Sequence, residues 1–157
     1  MEKTPSFRVA DYMKTNVISL PPTASMHEAL ALMIDKHTNG LVITDDTSKV
    51  VGILSSWDII QFIVPDYLEA DKHLASFEAG EVFAKRVTDL KDRPVSEFMS
   101  KQVHTCQAEH ALMEAATMLS EFRIRQLPVV NANGALIGYI NRTDIKRAMG
   151  DVLGLNK

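Results

Sequence analysis

The sequence predicts an α/β fold: two pseudo-twofold-related β-α-β-β-α repeats with a helical insertion between them. Three observations carry this. First, Val9 to Ile60 lies over Val95 to Lys146 without a gap, at a constant offset of 86 residues. Met13 falls on Met99, Glu28 on Glu114, Ala29 on Ala115, Leu41 on Leu127, Gly52 on Gly138 and Asp58 on Asp144. Second, apolar spacing switches within each copy from the helical period to short β-prone runs. Third, residues 65–94 have no counterpart in either copy. A duplication fixes architecture before anything else does, because each copy is one supersecondary unit. The expected divisions are 9–64, 65–94 and 95–150.

In the first copy, Val17-Ile18-Ser19-Leu20 is β-prone and halted by Pro21-Pro22. Ser25 with Glu28 has the form of a capping box, each side chain serving a free backbone N–H of a helix start. Met26, Ala29, Leu30 and Met33 follow at helical spacing, and the helix should end near His37 to Gly40, where Asn39-Gly40 supplies the stop. Leu41 to Thr44 and Val50 to Leu54 then form a hairpin across the polar turn Asp45 to Lys49. Ser55-Ser56-Trp57-Asp58 opens a second helix, with Trp57 expected in the core in preference to a pocket wall.

The second copy repeats this order. Ala111 replaces the capping Ser25, which should weaken that helix start by about 1 kcal/mol. Leu112, Ala115, Ala116 and Leu119 make the stripe, and Leu127 to Val130 and Leu136 to Ile140 the hairpin. Pro128 cannot donate to a ladder and is expected at an edge or a strand start. Asn141-Arg142-Thr143-Asp144 opens the last helix. In the insertion, Phe83, Val87 and Leu90 keep helical spacing, so a helical hairpin packed on the repeats is expected, with a lid or docking surface as the alternative.

Bulk properties narrow the function. The chain has 157 residues, 46% of them apolar and 24% charged, as in a globular protein. A net charge of −3 leaves no basic footprint for nucleic acid. No apolar run approaches the roughly 18 residues that span a bilayer. The start, Met1 to Arg8, lacks the apolar segment of a signal peptide, so a cytoplasmic location is expected. The single cysteine, Cys106, fits a reducing compartment and reads as a buried, inert thiol. The five histidines show no metal-ligand spacing, and no phosphate-binding glycine loop or nucleophile motif occurs. Most of the eight methionines occupy apolar stripe positions, which reads as core filler. Catalysis is not expected, and no cofactor is required.

Gly40-Leu41-Val42-Ile43 with Gly52-Ile53-Leu54-Ser55-Ser56-Trp57-Asp58, and Arg125-Gln126-Leu127-Pro128-Val129-Val130 with Gly138-Tyr139-Ile140-Asn141-Arg142-Thr143-Asp144, resemble a pair of CBS domains, also called a Bateman module. The resemblance implies two packed repeats, commonly dimerising into a disc. It implies adenosine-containing ligands (AMP, ADP, ATP, S-adenosylmethionine, sometimes NAD) in clefts between the repeats, and a regulatory role read by a separate protein partner.

It also implies roles for residues. Asp144 and Asp58 would take ribose hydroxyls, and Ser55 would face the ribose-phosphate. Asn141 stands where a hydroxyl is usual, with Arg142 and Arg125 as phosphate contacts. Ile18, Thr38 and Asn39 would line the Asp144 cleft, and His104 would reach the poorer Asp58 cleft. Ser-x-x-Asp is also close to a capping box, so helix capping is the bland alternative. The alternative at the level of function is an interaction module with degenerate, ligand-free clefts.

Overall fold

The computed structural model describes residues 6–77 and 80–156. Element order follows the duplication. Helix α1 (Val9–Tyr12) and strand β1 (Ser19–Leu20) lead into α2 (Met26–Asp35), β2 (Gly40–Thr44), β3 (Val50–Ser55) and α3 (Ser56–Ile63). After the insertion come β4 (Cys106–Gln107), α6 (Leu112–Glu121), β5 (Gln126–Val130), β6 (Leu136–Asn141) and α7 (Arg142–Val152). Each copy builds a three-stranded sheet, β1-β2-β3 or β4-β5-β6, with the hairpin's first strand in the centre. The first strand of each sheet pairs parallel to that central strand, and β5 pairs antiparallel to β6.

The insertion is helical. It comprises α4 (Asp66–Ala70), a 3-10 helix over Lys72–Phe77 and α5 (Gly80–Leu90). Leu90 is fully buried, whereas Phe83 is exposed despite its helical spacing. Arg86 donates to the Phe62 carbonyl and lies 4.9 Å from that ring, and Arg93 lies 5.0 Å from it. Phe62 in turn meets Phe98 edge-on at 5.1 Å. The insertion is thus fastened to the end of α3 by cation–π contacts as well as by burial.

Compact units cut across the sequence copies. One unit holds the chain up to Ile18, the hairpin tip Thr44–Val50 and everything from Gln102 onward. The other holds Ser19–Ile43 and Val51–Lys101. Inside each unit, the lead-in segment of one copy pairs with the hairpin of the other. Lys14 bridges to Tyr139 in the first unit, and Ser100 to Ile53 in the second. The core of the first unit is Val9, Tyr12, Cys106, Leu112, Ala115, Leu119, Leu127, Val129, Ile140 and Ala148. Met26, Ala29, Leu41, Ile43, Leu54, Leu90 and Val95 are buried in the second. Burying each large aliphatic side chain contributes about 1.5–3 kcal/mol.

Several sequence expectations change. Pro128 sits in a central strand, not at an edge. It faces Tyr139, whose N–H and C=O are both engaged by Lys14, so no ladder bond is asked of the proline on that side. On the other side, β4 reaches only Val129 and Val130. Trp57 is 64% exposed, because α3 buries Ile59 and Trp57 lies on the opposite face. Met26 and Met33 are core residues, but Met113 and Met149 are exposed. Helices α2 and α6 each stop through a left-handed residue, His37 (φ 51°) or Arg123 (φ 52°), which for α2 is the near end of the expected His37 to Gly40 range.

Candidate functional site

The N-terminus of α7 is built by reciprocal capping. Asn141 is extended (φ −133°, ψ −179°) where β6 ends, and its Oδ1 accepts the Asp144 N–H at 3.1 Å. Asp144 Oδ2 accepts the Asn141 N–H at 2.9 Å. Asn thus substitutes for a hydroxyl in the cap without loss of the motif. Asp144 is only 1% exposed, an unusual state for a carboxylate unless it is paired.

Its partner is Lys14. The ammonium donates to Asp144 Oδ1 at 2.6 Å and lies 5.4 Å from the Tyr139 ring centroid. The Lys14 backbone is clamped as well. Its N–H donates to the Tyr139 carbonyl at 2.8 Å, and its carbonyl accepts the Tyr139 N–H at 2.9 Å. Gly138 makes this approach possible, since a Cβ there would fall 2.4 Å from the Lys14 carbonyl oxygen. Lys14 escaped the sequence reading because it lies 130 residues from Asp144 in the chain. The signal was its alignment with Ser100: one copy carries a cation where the other carries a hydroxyl.

The corresponding cap in the other unit differs in one respect. Ser55 accepts the Asp58 N–H at 3.3 Å, and Asp58 Oδ2 accepts both the Ser55 N–H at 2.8 Å and its hydroxyl at 2.9 Å. Ser55 and Asp58 therefore serve each other, and Asp58 is half-buried. Thr38 and Asn39 belong to this same unit. The Thr38 hydroxyl donates to the Gly40 carbonyl at 3.0 Å, and the Asn39 carbonyl accepts the Ser56 N–H at 2.9 Å.

Ile18, His104, Arg125, Asn141, Arg142 and Asp144 share the first unit. His104 stacks on Phe122, with centroids 3.6 Å apart. The Arg125 carbonyl accepts the Arg142 N–H at 3.3 Å, as Asn39 does for Ser56. The Arg142 side chain lines a groove of about 490 Å³ between α6 and α7, with Arg123, Lys146, Ala116, Ile145 and Met149. Asp144 is not among the residues of that groove. Cys106 is 1% exposed, and burial, reinforced by the Glu114 charge, pushes its thiol up to about 11. It is an inert core group at neutral pH. Among the described residues no cluster of His, Cys, Asp or Glu is placed to hold a metal ion. No helix is long and apolar enough to cross a membrane among those residues.

Comparison with known proteins agrees with this architecture. The chloroplastic CBS domain-containing protein CBSX2 of Arabidopsis thaliana is 27% identical over 154 residues, covering 93% of this chain. CBSX1 of the same plant is 26% identical over 153 residues, covering 90% of it. The chain spans only 65% and 64% of the length of those two relatives. A crystal structure of CBSX2 in complex with AMP matches at a TM-score of 0.72 and 27% identity, over 93% of this chain and 98% of the other. A second CBSX2 crystal structure reaches 0.78 at 25% identity, over 95% and 98%. The family model of the CBS domain matches twice, at residues 9–65 and 95–151. With both copies matched at the places where the two caps are built, the chain belongs to the CBS-domain family and carries that domain as a tandem pair.

Proposed function

We propose that the chain is a regulatory module that binds an adenosine-containing ligand (AMP, ADP, ATP or S-adenosylmethionine) and signals its occupancy to a protein partner. The observation that carries this reading is Asp144, a buried carboxylate at a helix N-terminus, in a chain similar to a protein crystallised with AMP. Vicinal ribose hydroxyls offer two donors to one carboxylate. The N-terminus of α7 adds a positive dipole end that favours a phosphate nearby. Asn141, Arg142 and Arg125 are assigned to the phosphate side. Asp58 and Ser55 form a second, poorer site, since Asn39 stands where the other copy has Arg125. Ile18, which shares a unit with Asp144, keeps the lining role that the family implies.

The module acts by binding, not by catalysis, and any response requires different ligand affinity in two conformations. Self-association into a homodimer is part of the proposal. Exposed Ile34, Trp57 and Ile60 in one unit, and Met113 and Met149 in the other, support it. The one cysteine suits a reducing compartment such as the cytoplasm.

Calorimetry with the four ligands tests the reading. Binding that Asp144→Ala weakens by about 10-fold or more, the scale of a charged hydrogen bond, is the expected result. Absence of binding at millimolar concentrations would overturn it. One observation favours a second reading, an interaction module without a ligand: Lys14 already satisfies Asp144. In that case, deleting residues 67–90 abolishes partner capture, and nucleotide has no effect.

A further inference from the structure

The contact between Lys14 and Asp144 bears on which ligand this chain can take. This inference rests on reading Asp144 as the ribose-binding carboxylate. Asp144 is 1% exposed, and both of its oxygens are engaged, one by the Asn141 N–H and one by the Lys14 ammonium. The Asn141 bond belongs to the cap that starts α7 and has to persist. Ribose hydroxyls therefore reach this carboxylate only where the ammonium now sits.

Displacing that ammonium has a cost that depends on what replaces Asp144 for it. The Lys14 backbone is fixed by its two hydrogen bonds to Tyr139, with Gly138 admitting no alternative spacing. Only the side chain can move, and a flexible four-carbon stem carrying three donors is suited to that. It is 33% exposed, against 1% for its partner, so it has an open side to turn toward. A neutral nucleoside would supply hydroxyls to Asp144 and leave the ammonium without an anion. A ligand with a cationic sulfonium at the 5′ position would add repulsion. A 5′-phosphate exchanges one ion pair for another, with oxygens in the range where charge-assisted hydrogen bonds are strong.

We infer that Lys14 is a specificity-determining residue that makes the Asp144 site selective for adenosine carrying a 5′-phosphate, by yielding the carboxylate to the ribose and taking the phosphate. The same exchange makes occupancy felt in the N-terminal segment, because the side chain that moves belongs to it. The other copy is built differently, since residue 100 is a serine and Asp58 is held by Ser55.

Titrations of the full chain with AMP and with adenosine test the proposal, using the wild type, Lys14→Met and Lys14→Arg. Lys14→Met keeps the alkyl packing and the backbone pairing but removes the cation. The preference for AMP over adenosine should shrink by about 10-fold or more, with adenosine gaining as the competing ammonium is lost and AMP losing its phosphate partner. Lys14→Arg should restore most of the preference. Should Lys14→Met fail to fold, reductive methylation of the wild type followed by peptide mass spectrometry gives the same answer. AMP at saturation should slow modification of Lys14, and an unchanged rate overturns the proposal. If AMP binds and the preference is the same in Lys14→Met, this assignment falls and the ribose reading stands. If no adenosine compound binds the wild type or the variants, both fall together.

Discussion

Gly52 and Gly138 occupy equivalent places in the two copies but are required for different neighbours. A Cβ on Gly138 would meet the Lys14 carbonyl oxygen at 2.4 Å, a backbone atom held by hydrogen bonds to Tyr139. A Cβ on Gly52 would meet Met99 Sδ at 2.4 Å and Cγ at 2.9 Å, which are side-chain atoms able to rotate away. The Ser100 carbonyl is farther, at 3.1 Å. Gly138→Ala should therefore cost about 1–3 kcal/mol, in the range of overpacking, and Gly52→Ala less than about 1 kcal/mol. Urea unfolding followed by Trp57 fluorescence and by circular dichroism measures both, and equal costs would refute the distinction. Gly138→Ala should also weaken the Lys14–Asp144 contact, since the carbonyl it pushes belongs to that lysine. The glycines were legible as repeat markers. Which backbone each admits was not, because the approaching segment lies more than a hundred residues away for Gly138.

At the level of elements, the first helix of each copy shows how local signals and tertiary contacts divide the work. Ser25 and Glu28 form the capping box that the sequence announces, with both bonds at 3.1 Å. In α6, Ala111 offers no side-chain cap. Both helices also take help from distant backbone: the Met26 N–H donates to the Arg93 carbonyl at the end of the insertion at 2.9 Å, and the Leu112 N–H to the Phe7 carbonyl in the N-terminal segment at 2.7 Å. Ala111 has an extended backbone (φ −62°, ψ 143°) close to that of Ser25 (φ −76°, ψ 156°), and Glu114 stands at the third helical position. Ala111→Ser should complete a second capping box and stabilise the protein by about 0.5–1 kcal/mol. For a chain of this size that is a rise of roughly 2–4 °C in Tm per kcal/mol, readable by calorimetry. A fall in Tm would show that the Phe7 contact leaves no room for the hydroxyl.

These elements also mark how far sequence reading reaches. Caps, stripes and hairpins were legible because each rests on residues close together in the chain, at most about fifteen apart across a hairpin. Trp57 departs from a core placement because a helix with one apolar face buried can still expose a large apolar side chain, as Met113 and Met149 also do. Pro128 stands in a central strand and not at an edge because Tyr139 turns its polar groups to Lys14, a contact no local pattern announces. Asp144 was legible as a candidate, but the cation beside it was not.

For the molecule as a whole, the N-terminal segment is held to its unit by a network that titrates at both ends of the pH scale. The Tyr12 hydroxyl donates to Asp151 Oδ2 at 2.8 Å, Asn156 donates to Asp151 Oδ1 at 2.8 Å, and Arg147 donates to the Tyr12 carbonyl at 2.9 Å. Hydrogen bonds from Asn156, then Tyr12, hold Asp151 below its ordinary value of 3.8. Burial, then the bond to Asp151, raises Tyr12 above 10.0. A depressed carboxylate adds stability that is present above its unfolded value and is lost as pH falls through the folded one. A raised phenol adds stability that is complete below its unfolded value and lost as pH climbs through the folded one. The segment carrying Val9–Tyr12 and Lys14 should therefore stay docked from about pH 4 to about pH 10 and loosen outside that window. Nuclear magnetic resonance of the Tyr12 ring reports on this unit, and Trp57, the one tryptophan, on the other. On acidification, the Tyr12 signal should change before Trp57 fluorescence reports global unfolding. Asp151→Asn keeps an acceptor for Tyr12 but cannot titrate, so the early change should disappear in that variant. An early change that survives Asp151→Asn would mean that another group, and not this carboxylate, holds the segment carrying Val9–Tyr12.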